Sequence, residues 1–108
     1  MAIIDEGITI EVMDHQGIVL VEIAGELTAL EAPELLSAVG DVLAASPRNL
    51  QLGLRFVTFL DSGGLQALLR ARALTQAAAV PLQLLGPPRR VCRLLEVMNL
   101  TGVFDIVE

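Results

Sequence analysis

One serine in this chain stands where a phosphate could sit without breaking a helix. The run Val57-Thr58-Phe59-Leu60-Asp61-Ser62-Gly63-Gly64-Leu65 leads from an apolar stretch of strand propensity into Asp-Ser-Gly-Gly and then into a long helix-forming segment. That order sets the Ser62 hydroxyl and several unpaired backbone N–H groups at the first turn of a helix. Free N–H groups and the helix dipole both favour negative charge there. Asp and Ser are also ordinary helix caps, so the turn on its own is compatible with a cap or with an anion-tolerant site. The other reactive side chains are isolated. Cys92 is the only cysteine and lies among Val91, Leu94 and Leu95, which suits a small buried thiol. It supports neither a disulfide framework nor a cysteine-based metal site. His15 is the only histidine, in the turn Asp14-His15-Gln16-Gly17, with no orienting partner in view. The chain has no lysine, no Gly-x-Gly-x-x-Gly and no evident general base to activate Ser62, so no catalytic residue, cofactor or metal site is expected.

The elements around Ser62 follow from apolar spacing. Ile8, Ile10 and Val12 alternate with Thr9, Glu11 and Met13, which predicts a half-buried strand. After the Asp14-to-Gly17 turn, the near-continuous run Ile18 to Ala24 suits a strand covered on both faces, completing a hairpin. Thr28 with Glu31 is a capping-box pattern, and Pro33 falls in a first helical turn. Leu35, Leu36, Val39, Val42 and Leu43 then recur at helical spacing, predicting a helix over 29–45 that stops at Ser46-Pro47. Leu50, Leu52 and Leu54 alternate in a third strand that continues to Leu60. A second helix is predicted over 62–78, with Gln66, Arg70, Arg72 and Gln76 facing solvent. A short strand at Pro81–Leu85 and Gly86-Pro87-Pro88 precede a third helix over 88–98, with Val91, Leu94, Leu95 and Met98 as its buried stripe. Asn99 and Gly102 precede a last strand, Val103 to Val107. The order β-β-α-β-α-β-α-β implies one α/β domain over residues 1–108, with a mixed, mostly parallel sheet of about five strands and three or more helices packed on it.

Charge and hydropathy bound the surroundings. Hydrophobic residues make up 54% of the 108 residues and the mean hydropathy is +0.66, so the chain is not disordered. No apolar run approaches the roughly 20 residues of a spanning helix, and the start Met-Ala-Ile-Ile-Asp-Glu lacks the regions of a signal peptide. A cytoplasmic protein without membrane insertion is expected. Residues 1–47 hold nine carboxylates and no lysine or arginine, whereas residues 48–108 hold four carboxylates and seven arginines, for a net charge of −6. With three aromatics, all Phe, such a chain has no stacking or electrostatic footprint for nucleic acid.

Three segments carry a family resemblance: Gly25 to Leu35, Val57 to Leu65, and Val91 to Phe104. Over nearly its whole length the chain resembles a STAS domain, specifically a bacterial anti-sigma factor antagonist. Asp61-Ser62-Gly63-Gly64-Leu65 matches the family's Asp-Ser-x-Gly-Leu signature, in which the Ser is phosphorylated. Gly63 stands where the family usually has a second Ser, Thr28 where it usually has Asp, and Gly53 where the third strand usually has Asp. The resemblance implies that the unphosphorylated protein binds an anti-sigma factor, itself an ATP-dependent serine kinase, and so frees a sigma factor. Phosphorylation of Ser62 then ends binding and a serine phosphatase restores it. Implied partner contacts are Glu26, Leu27, Thr28, Asp61, Gly63, Gly64 and Gln66. The chief rival is a STAS subunit of another cytosolic assembly, a transporter ATPase or a sensory complex, using the same surface without a phospho-switch.

Overall fold

The computed structural model describes residues 2–4 and 7–108. Its elements run β1 (Ala2–Ile4), β2 (Ile8–His15), β3 (Ile18–Leu27), α1 (Ala32–Ala44), β4 (Asn49–Leu60), α2 (Ser62–Ala77), β5 (Leu82–Leu85), α3 (Arg89–Val97) and β6 (Asp105–Val107). The strands form one sheet in the order β1-β2-β3-β4-β5-β6. The first two pairings are antiparallel and the last three parallel. The predicted architecture is therefore present, with β1 added at the edge. Three residues carry no periodicity from which that strand could be read.

The hairpin forms because Gln16 and Gly17 both adopt positive φ (55° and 86°), which matches the twist of the flanking strands. The Asp14 carboxylate accepts from the Gly17 N–H at 2.9 Å and fixes the turn. Each parallel step is a helix crossover to the adjacent strand in the same direction. Right-handed crossovers of this kind place α1, α2 and α3 on one face of the sheet, where α1 packs against α2.

Alternating strand residues fill the layer between sheet and helices. Ile8, Ile10, Val21, Ile23, Leu50, Leu52, Leu54 and Leu84 meet Leu35, Val39, Leu65, Leu68, Val91 and Leu95, all buried. The opposite face is open, which corrects the expectation that β3 is covered on both sides: Ile18 is 39% exposed, and Leu20 and Glu22 are half-buried. Leu20 is shielded there by Met13, its partner in register. Further along that face Gln51 donates to Gln83 at 2.9 Å, and Gln83 donates to Asp105 at 3.2 Å. The face is thus finished with polar cross-strand pairs rather than a second helical layer.

β4 departs from strict alternation. Its register with β3 passes from Glu22↔Gly53 to Ala24↔Phe56, and from Gly25↔Val57 to Glu26↔Phe59, so β4 carries one extra residue at each of two bulges. Bulges turn successive side chains outward. Arg55 and Phe56, then Thr58 and Phe59, are exposed on either side of buried Val57.

The helices fall within the predicted segments with shorter ends. α1 starts at Ala32 because Thr28–Glu31 form a separate turn, in which the N–H groups of Glu31 and Ala32 both donate to the Thr28 carbonyl. α3 stops at Val97, which leaves Met98 in the cap and 51% exposed rather than in the buried stripe. Arg72 is half-buried, its Nε donating to the Val103 carbonyl at 3.0 Å, so it braces the segment before β6 instead of facing solvent. Cys92 is half-buried, with its Sγ 3.6 Å from the Pro87 carbonyl. Among the described residues no helix is long and apolar enough to cross a membrane.

Candidate functional site

The parallel strands β3, β4 and β5 end on one edge of the sheet, and the loops leading into α1, α2 and α3 gather there. In open α/β sheets this carboxyl edge is where binding sites form. His15 lies at the opposite edge, beside the start of β3. Among the described residues no cluster of His, Cys, Asp or Glu is arranged to hold a metal ion.

The loop between β3 and α1 is held by an inward-turned carboxylate. Glu31 is 9% exposed, and its Oε1 accepts from the Thr28 N–H at 2.9 Å and from the Thr28 hydroxyl at 2.6 Å. Thr28 Oγ1 in turn accepts from the Leu30 N–H at 3.1 Å. Both halves of the capping box are made, one residue tighter on the Thr side than the usual pattern. Leu30, carried by this fixed loop, is 83% exposed.

The start of α2 is capped by Asp61, which has extended backbone (φ −112°, ψ −168°) and accepts from the Gly64 N–H at 3.0 Å. Ser62 is the first helical residue and is exposed. Both glycines after it are required by close approach. A Cβ on Gly63 would lie 2.8 Å from the Ala29 nitrogen, and one on Gly64 would overlap the Leu27 carbonyl oxygen. The helix start therefore rests directly on the Leu27–Ala29 backbone, and Ser62 stands on a fixed platform. Gln66, one turn further on, is also exposed.

The residues singled out in sequence divide into two groups. Glu26, Ser62 and Gln66 are exposed, and Asp61, Thr28 and Gly63 are partly exposed. Leu27 is fully buried and Gly64 is buried, so neither offers a surface to a partner. Leu27 anchors the loop in the core, and Gly64 allows the loop to meet the helix. Leu30 and Phe59 were not singled out, yet both are exposed apolar side chains on this edge, Phe59 at 46% and opposite Glu26 in the ladder. The signal for Leu30 was available, since an apolar residue inside a capping box precedes the helix face that would bury it. Phe59 was concealed by the bulge.

The profile of the family described as "Mlab, STAS domain" matches residues 12–108. The chain belongs to the STAS domain family. Within it, this STAS domain is akin to anti-sigma factor antagonists. It is 40% identical over 63 residues to the anti-sigma-F factor antagonist RsfB of Mycobacterium tuberculosis, a stretch covering 58% of this chain and 52% of that protein. The chain thus aligns with about half the length of this curated relative. It superposes on the crystal structure of an anti-sigma factor antagonist from Mycobacterium paratuberculosis with a TM-score of 0.82 at 30% identity, over 93% of this chain and 85% of the other. The Bacillus cell fate determinant SpoIIAA in its phosphorylated form shares the fold, with a TM-score of 0.69 at 16% identity over 92% and 91% of the two chains.

Proposed function

We propose that this STAS domain acts as an anti-sigma factor antagonist whose binding is switched at Ser62. The unphosphorylated domain binds an anti-sigma factor that is a serine kinase, freeing a sigma factor. Phosphorylation of Ser62 ends that binding and a serine phosphatase reverses it. The observation that carries this reading is the exposed Ser62 hydroxyl at the first turn of α2, on a helix start held from beneath by Leu27 and Ala29.

The physical case is local. A phosphoserine adds about −1.5 to −2 charges, which the N–H groups and dipole of a helix start tolerate. The fold should survive the modification. The same charge arrives beside Asp61 and close to the surface formed by Glu26, Leu30, Phe59 and Gln66, where an interface must shed water. Binding should therefore fail while the domain stays intact.

The test uses kinases captured from the source cells by the immobilised, unphosphorylated protein. Incubation with such a kinase and ATP should add one phosphate, mapped to Ser62 rather than to Ser37, Ser46 or a threonine. The phosphorylated protein should then bind the same kinase at least about tenfold more weakly. Unchanged affinity after stoichiometric phosphorylation would overturn the switch and favour a docking subunit that uses the same edge without one.

A further inference from the structure

The first turn of α3 is charged against its own dipole. Arg89, Arg90 and Arg93 are exposed and together line one shallow depression. The helix begins at Arg89, behind Pro88, and its first turn contains no acidic residue. A helix N-terminus favours negative side chains and is weakened by positive ones. The spacings 89–93 and 90–93 also set like charges on neighbouring positions of one face. Among the described residues no carboxylate makes an ion pair with any of the three. Arg90 donates only to a neutral acceptor, the Thr58 carbonyl, at 2.9 Å. Arg90 is thus bonded but not neutralised, and Arg89 and Arg93 stand beside it where neither helix stability nor an internal partner accounts for them. An external anion would. The Arg90 bond also ties this cluster to β4 four residues before Ser62, on the same edge of the sheet.

We propose that the Arg89–Arg90–Arg93 cluster is a docking site for a short acidic segment of a partner protein, separate from the Ser62 turn. Guanidinium forks match carboxylates in bidentate geometry. The rest of the chain selects a short segment over an extended polyanion. The chain carries a net charge of −6, so outside these three arginines the rest of the molecule sums to −9, and an extended polyanion such as a membrane surface or a nucleic acid would be repelled by the molecule as a whole. An acidic segment confined to the depression meets only the arginines. Attraction of this kind acts mainly on encounter rate and on the choice of partner.

The isotope-labelled full chain is titrated with a short peptide of alternating Asp and Glu, and amide shifts are followed by NMR. Parallel titrations use the matching Asn/Gln peptide, phosphatidylglycerol vesicles and single-stranded DNA. The acidic peptide should give saturable shifts centred on residues 88–93 and Thr58, and these should weaken as salt is raised. Arg89→Glu/Arg93→Glu should reduce peptide affinity at least about tenfold and should stay folded, since the change at Arg89 puts a favourable negative charge at the helix start. Arg89→Gln/Arg93→Gln, which only neutralises, should also bind more weakly, whereas Ser62→Ala should bind the peptide like the parent. The proposal is overturned by no response on α3, by an equal response to the Asn/Gln peptide, by undiminished binding in the double variants, or by stronger binding to vesicles or DNA than to the peptide.

Discussion

Gly64 lies against the carbonyl oxygen of Leu27 so closely that a single added Cβ would overlap it. Through that contact the first turn of α2 rests on the end of β3. Beside it Gly63 meets Ala29, whose neighbour Thr28 is held by buried Glu31. A buried leucine, a capping-box carboxylate and two glycines together determine where Ser62 stands.

Gly64→Ala should therefore destabilise the domain by about 1–3 kcal/mol, because the backbone on both sides must shift. Gly40, in the exposed middle of α1, has nothing within 4 Å of its would-be Cβ. Gly40→Ala should stabilise by roughly 0.5–1 kcal/mol through helix propensity. Urea unfolding of the two variants should move the midpoint in opposite directions, and a shift of the same sign in both would contradict this account of the contact.

Asp61→Ala removes the side chain that accepts from the Gly64 N–H. The expected loss is about 1 kcal/mol, which for a domain of this size lowers the melting temperature by about 4 °C or more. Asp61→Asn, an equally good cap, should retain most of the stability. If the melting curves of the Ala and Asn variants coincided, the cap would not be contributing.

Ser62→Ala should fold and bind the kinase like the parent while accepting no phosphate. Ser62→Asp should melt no lower than the parent, because a carboxylate at a helix start is favourable, yet should bind at least about tenfold more weakly, a loss of about 1.4 kcal/mol. Calorimetry on both variants, alongside an enzymatically phosphorylated sample, reads the two effects separately. A Ser62→Asp variant that was unfolded would refute the claim that this position tolerates charge.

Leu30 is 83% exposed on a loop fixed by Thr28, so the proposed interface can be tested there. Leu30→Ala should change stability by no more than about 0.5 kcal/mol, as surface truncations do. Its affinity for the kinase should fall by about tenfold or more, in the range of buried interface anchors. Surface plasmon resonance on folded Leu30→Ala with parent-like affinity would remove this residue from the interface.

Much of this was legible in the chain itself, because the deciding interactions are local. The Asp14-to-Gly17 turn, the Thr28–Glu31 pair and the Asp61 cap each join residues at most three positions apart. The apolar spacings of Leu35, Val39 and Val42, and of Leu50, Leu52 and Leu54, likewise reported a helix face and a strand face without knowledge of what covers them. Element order and handedness then followed from the rule that parallel neighbours need right-handed crossovers. The motif around Ser62 belongs to this class, since a cap and a helix start are written in consecutive residues.

Tertiary structure decided everything that depends on register and on contacts between distant segments. Alternation in β4 could not reveal the two bulges, because a bulge exists only relative to β3, and with them went the exposure of Phe56 and Phe59. The open face of β3 arises from all three helices crossing on the other side, which an apolar run cannot announce. The need for glycine at 63 and 64 arises from the backbone at Leu27 and Ala29, more than thirty residues earlier in the chain. The bond from Arg90 to Thr58 spans a separation of 32 residues and brings α3 to the Ser62 edge. Local chemistry thus named the serine and its cap, whereas the packing of remote backbone made the surface around it.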